Sequence, residues 1–340
     1  MTRVRAILMF AAFMAFAFTA LSEDKPLLEL MGSTPLPQLH DGDFDHFALD
    51  EGGSRLFSTA EENSQVLVFD MKTNKLVHSI TDLKAPHSML FRADLKKLFV
   101  VDGDLGEVKI YDTDSYKAVG SIKVREGADA SGYDPATKFL YVVNGGKDGH
   151  LANAYITVID TSTETKKGEI KIDSDDVEGM VMEKSSPRMF VVIRGNNSIE
   201  VFDRTKRTLL ATWLVEKEGK KPTAIAFDED GQRLFVGTRD PGKLLVLNSK
   251  SGKIVSTAPA AAMVDDMTYD AGRKRIYFAG TEFLDIFQQR DADHYLQAGH
   301  VPTAFRAKTG ILAPDLNRYY LGVPHHEKHA AELRVYKLEP

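Results

Sequence analysis

The sequence predicts an all-β fold, a seven-bladed β-propeller whose ring is closed by an N-terminal strand completing the last blade. Three observations carry this. A short pattern of strand, acidic turn, β-branched or aromatic strand and third strand recurs seven times. The turn carboxylates Asp50, Asp94, Asp134, Glu183, Asp228, Asp270 and Asp315 lie roughly 40 to 49 residues apart, the period of a four-stranded blade. The last copy stops at Tyr336 without a fourth strand, while a spare strand precedes the first copy.

The N-terminus reads as a targeting segment. Arg3 and Arg5 form a basic start, Ala6 to Leu21 is an uncharged apolar run, and Ala20-Leu21-Ser22 places small residues before Glu23. The run is short for a spanning helix. Residues 1–22 are therefore assigned as a signal peptide and residues 23–340 as a single propeller domain. Loss of Arg3 and Arg5 takes the net charge from −6 to −8. The chain has no cysteine, which removes disulfides, thiolate ligands and a lipid-attachment site. The expectation is a secreted, periplasmic monomer with no membrane span after cleavage.

Leu27-Leu28-Glu29-Leu30-Met31 is the spare strand, and residues 27–33 are expected to complete blade seven and leave the ring without an open edge. Second strands begin at Leu56, Leu98, Leu140, Met189, Leu234, Ile276 and Tyr319. Third strands mostly end in Asp or Asn, as at Asp70, Asp112, Asp160, Asp203 and Asn248. No long helical period interrupts them. With 43% hydrophobic and 27% charged residues the chain can bury a core. Its negative charge argues against a nucleic-acid binder working by bulk electrostatics.

Leu140-Tyr141-Val142-Val143-Asn144, followed by Val158-Ile159-Asp160-Thr161, resembles the YVTN-type repeat of YncE-like propellers. The resemblance spans essentially the whole mature chain. Ser58-Thr59-Ala60 and Gly237-Thr238-Arg239 depart from the repeat. The resemblance implies a WD40-like propeller. Its relatives include binding proteins, lactonase-like hydrolases, nucleic-acid binders and accessory subunits of redox enzymes.

In a propeller the first strand of each blade lines the channel, so seven equivalent residues converge at its mouth. Counting back from the second strands gives His46, His87, Asp129, Glu178, Thr223, Asp266 (or Asp265) and Thr309. Two imidazoles and three carboxylates at seven equivalent positions suit a mononuclear site for one divalent metal ion. The proposed ligands are His46, His87, Asp129, Glu178 and Asp266. A wet channel mouth lined by mutually paired polar groups is the plainer alternative. Arg194, Arg239 and Arg306 lie where a guanidinium would face this ring.

Other signals are weaker. His325-His326-Glu327-Lys328-His329 lacks the spacing of a helical zinc motif and reads as an exposed hairpin tip. Asn144-Gly145-Gly146-Lys147-Asp148-Gly149 opens no helix and so lacks the basis for phosphate binding. Trp213 reads as fourth-strand packing. No nucleophile elbow or dinucleotide fingerprint occurs, so whether the protein is an enzyme stays open. Three function classes follow. The first is a module binding a small molecule or protein partner at the channel mouth, the second a metal-dependent, lactonase-like hydrolase, and the third a nucleic-acid-binding propeller.

Overall fold

The computed structural model describes residues 26–340 except 51 and 53. The signal-peptide assignment lies outside these residues. Seven four-stranded antiparallel sheets form the molecule. Blade one comprises Phe44–Asp50, Arg55–Ala60, Gln65–Asp70 and Lys75–Ile80, and blades two to six repeat this meander. Among the described residues, no helix is long and apolar enough to cross a membrane.

The repeating acidic residues are turn-formers. Asp70 accepts the backbone N–H of Lys72 and Thr73 at 2.9 and 2.7 Å, and Asp160 accepts those of Ser162 and Thr163 at 2.9 and 3.2 Å. Asp203 and Asn248 do the same two and three residues on. A side chain that satisfies its own turn in this way makes the reversal local, which is why the residue recurs with each blade. The fifth position of each turn is left-handed: Asn74, Tyr116, Glu164, Arg207 and Gly252. Gly252 has a second reason, since a Cβ there would lie 2.2 Å from the Trp213 ring.

Second strands carry the core. Leu56, Phe57, Leu98, Phe99, Phe190, Leu234 and Phe235 are fully buried between neighbouring sheets. Fourth strands form the rim and are largely exposed, as Leu209, Leu210 and Leu214 are. Every third–fourth strand pairing carries a register shift, from Val68/Phe69 in blade one to Leu30/Gly32 in blade seven. A bulge increases local twist, and its repetition keeps seven sheets equally twisted around one axis.

Blade seven draws on both chain ends. Its inner three strands are Thr309–Ala313, Arg318–Val323 and Glu332–Leu338, and Leu28–Pro35 supplies the fourth. Leu28 pairs with Leu338 and Pro35 with Glu332. Leu28 is buried with Tyr319, Tyr336 and Leu338. The closure expected from the spare N-terminal strand is what the structure contains, extended to residue 35.

Candidate functional site

The channel mouth is built by interruptions in the inner ladders. Pairing of first and second strands breaks between Phe44 and Phe47, Pro86 and Met89, Val177 and Met180, and Pro222 and Ala224. His46, His87, Glu178 and Thr223 occupy these breaks. Asp129 and Asp266 lie just before the first strands of blades three and six. Freed from the ladder, these side chains turn toward the axis, the use bulges commonly serve beside binding sites. Thr59 repairs the ladder at one break: its hydroxyl accepts the His46 N–H at 2.8 Å and donates to the His46 carbonyl at 3.1 Å.

His46, Asp129, Glu178, Thr223 and Asp266 line a cavity of about 220 Å³, whereas His87 lies outside its lining. Asp45, His46, Asp129, Glu178, Asp265 and Asp266 form its polar upper wall, and Phe47, Met89, Met180, Ile225 and Met267 its apolar floor. Thr223 also lines it, with its hydroxyl donated to the Lys221 carbonyl at 3.2 Å. Thr309 is buried and donates instead to the Phe44 carbonyl at 2.8 Å, tying blade seven to blade one.

Asp45 is the centre of the charge network. Its Oδ2 lies 2.7 Å from His87 Nδ1 and 3.9 Å from His46 Nε2. The other nitrogen of His46 lies 3.5 Å from Asp266 Oδ1. His87 Nδ1 also lies 3.5 Å from Asp129 Oδ1, and its Nε2 lies 3.7 Å from Glu61 Oε1. The two imidazoles therefore flank Asp45 rather than facing one another. One donor atom from each of Asp45, His46 and Asp129 lies within 4.8 Å of the others, and the same holds for Asp45, Glu61 and His87. The five expected ligands are thus distributed: His46 and His87 fall in different triplets, and Glu178 and Asp266 in neither. The bulged strands of adjacent blades bring both imidazoles to Asp45 Oδ2 but give each a different second carboxylate, Asp266 for His46 and Glu61 for His87.

The three arginines singled out in the sequence all engage the protein's own carboxylates. Arg194 lies 2.5 Å from Glu178 and 2.9 Å from Asp176. Arg239 pairs with Asp265 and donates to the Val264 carbonyl at 2.8 Å. Arg306 holds Asp43 at 2.7 Å. Lys308 adds a second cation on Asp265.

Burial and crowded charge move the titrations. Burial opposes the charged form of His87, but Asp129, Asp45 and Glu61 outweigh it and hold the imidazolium up to about 10. His46 is likewise raised against burial, by Asp45 and Asp266. Burial would raise Asp45, yet His46 and His87 hold its carboxyl well below the usual range. Burial pushes Glu178 up to about 8, aided by Asp129 and opposed by Arg194. Glu61 is pushed up to about 7, chiefly by burial, and burial also raises Asp129 and Asp266. The mouth at neutral pH therefore combines two imidazolium ions with carboxyls that differ in protonation, an arrangement suited to proton transfer or to exchanging protons for a metal cation.

The family described as "Lactonase, 7-bladed beta-propeller" matches residues 40–265. The chain belongs to this family. The chain is similar to the uncharacterized protein YncE of Escherichia coli (strain K12), with 23% identity over 157 residues. That match covers 41% of this chain and 42% of YncE. Among solved structures it is similar to a chain of the mitotic checkpoint complex, with TM-score 0.75, 16% identity, and 100% and 99% of the two chains covered. The RRP9 WD40 repeats give TM-score 0.76 at 10% identity, covering 92% of this chain and 97% of that one. Hydrazine synthase of Kuenenia stuttgartiensis gives 0.72 at 16%, covering 83% and 93%. At such identities these structures share the propeller fold and nothing further.

Asp45, Glu61 and Lys308 escape a count of equivalent first-strand positions, and Asp265 enters it only as the alternative to Asp266. Asp45 and Lys308 immediately precede the counted residues His46 and Thr309, which is their only sequence signal. Glu61 begins the short 3-10 turn Glu61–Asn63 after a second strand, and nothing local marks it.

Two of the weaker signals resolve plainly. Glu327, Lys328 and His329 are exposed in the connection before Glu332–Leu338, as the hairpin-tip reading expects. Trp213 lies in the fourth strand Thr208–Leu214, its ring 5.8 Å from that of Phe190.

Proposed function

We propose that the protein is an exported ligand-binding propeller that captures a divalent cation at its channel mouth, through Asp45, His46 and Asp129, with a small molecule or partner completing the site. The observation that carries this is the convergence of one imidazole and two carboxylates, from two blades, with donor atoms within 4.8 Å of one another. Imidazole with carboxylate suits first-row divalent ions. Asp266, 3.5 Å from His46 Nδ1, is placed to orient the imidazole from the side away from Asp45. Arg194, Arg239 and Lys308 offset the remaining carboxylates and would attract an anionic ligand to the loaded site.

The test is metal analysis of purified, tag-free mature protein. The expected result is a stoichiometric divalent ion that raises the melting temperature and is lost in His46→Ala and Asp129→Asn. A metal-free protein whose melting temperature ignores added cations would overturn the reading. N-terminal sequencing of the exported chain, expected to begin at Glu23, tests export.

A second reading is hydrolysis of a lactone-like ester, favoured by the family's description and by Glu178, a buried carboxyl pushed up to about 8. A divalent ion would supply Lewis acidity toward a carbonyl or a bound water. Glu178 would hold or donate the proton, and the apolar floor of Met180, Ile225 and Met267 would seat the carbon skeleton. Chelator-sensitive opening of simple γ- and δ-lactones, lost in Glu178→Gln, is the expected result; no turnover with any of them would sink it.

A further inference from the structure

We propose that the mouth holds two divalent cations, the second between His87 Nε2 and Glu61, with Asp45 ligating the first ion and bracing the His87 ring toward the second. This rests on the cation reading above and extends it. His87 is oriented as a metal-ligating histidine usually is. Its Nδ1 is bonded to the Asp45 carboxylate at 2.7 Å, which leaves Nε2 to face Glu61. A carboxylate on one ring nitrogen fixes the ring and presents the other nitrogen to an ion. The 3.7 Å between His87 Nε2 and Glu61 Oε1 is too long for a hydrogen bond. It fits two ligands that each lie about 2.0–2.2 Å from one ion.

Two further features belong to this position. Gly103 packs against the His87 ring, and a Cβ there would lie 2.9 Å from Nε2 and equally close to the Ala128 carbonyl. Glycine keeps that edge of the imidazole clear. Glu61 reaches the position from outside the first strands, so the second position draws on the adjacent blades one and two, where the first draws on blades one and three. Each ion would then have one imidazole and one carboxylate of its own (His46 with Asp129, His87 with Glu61), with Asp45 completing the first set and holding the His87 ring toward the second. Imidazole with carboxylate at both positions suits first-row divalent ions.

The experiment is equilibrium dialysis of chelator-stripped mature protein against Mn²⁺, with metal counted per chain. Mn²⁺ is chosen because isolated imidazoles such as His325, His326 and His329 bind it weakly. The expected result is two ions per wild-type chain, one in Glu61→Gln, and one in Asp129→Asn. Melting curves of the metal-free variants verify that each is folded. One ion in wild type, unchanged in Glu61→Gln and lost in Asp129→Asn, would overturn the second position while leaving the first. Two ions that persist in both Glu61→Gln and His87→Ala would also overturn it. No bound ion in wild type would overturn both readings together.

Discussion

The metal-free mouth should be weakened by alkali and rescued by divalent cations. His87 is the main lever. Its imidazolium is held up to about 10 in the folded protein, against 6.5 ordinarily. A raised folded value means that the stabilisation is complete below pH 6.5 and is lost as pH rises through 10. The interval corresponds to on the order of 4–5 kcal/mol at full extent. That is a large share of the ~5–15 kcal/mol typical of a folded domain. Two of the carboxyls, Glu178 and Glu61, act with the same sign. Glu178, pushed up to about 8, and Glu61, up to about 7, contribute most below pH 4.5, and their contributions fall away as pH rises through those values. Divalent ions should reverse the trend, because their binding replaces the protons that leave. The assay is urea unfolding of chelated protein at pH 6.5, 8 and 9.5, with and without Mn²⁺. The expected result is a falling midpoint without the ion and a flattened profile with it. His87→Gln should be less stable at pH 6.5 yet lose less between pH 6.5 and 9.5. A chelated wild type that holds its midpoint to pH 9.5, or a His87→Gln profile parallel to wild type, would refute the reasoning.

Leu28→Ala should cost about 2–4 kcal/mol, because Leu28 is buried where the two chain ends meet, and removal of residues 26–35 should abolish cooperative unfolding; urea denaturation reads both. Arg204→Ala should cost about 3–5 kcal/mol. It strips the partner, 2.8 Å away, from the buried Asp134 carboxylate and breaks a link between blades three and four; an unchanged midpoint would count against that link. Gly252→Ala forces a Cβ into a left-handed backbone and against Trp213, so the fluorescence of this sole tryptophan should shift along with a loss of about 1–3 kcal/mol.

Much of the fold was legible because each blade solves the same local problem. Asp70, Asp112, Asp160, Asp203 and Asn248 satisfy the backbone of their own turns, so the signal sits within three residues of its effect. The mouth was legible to the extent that it obeys the repeat. His46, Asp129, Glu178, Thr223 and Asp266 all line the cavity, as equivalent first-strand residues should. The pairing among them was not legible. His46 and His87 stand in equivalent positions and both approach Asp45 Oδ2, yet their second partners differ, Asp266 for one and Glu61 for the other. Thr309 holds the same register position and gives its hydroxyl to the Phe44 carbonyl instead.

The sequence by itself determined the seven blades, the spare strand that closes them and the approximate ring of polar residues. Those depend on periodicity and turn chemistry, which act over a few residues. Only the tertiary structure decided that Asp45 is the hub, that Glu61 reaches His87 from a connecting turn, and that Arg194, Arg239 and Lys308 neutralise the ring's carboxylates. Apart from Arg194–Glu178, which lies within blade four, those contacts join different blades and are set by how neighbouring sheets twist and pack. The spacing of residues along the chain carries no record of that.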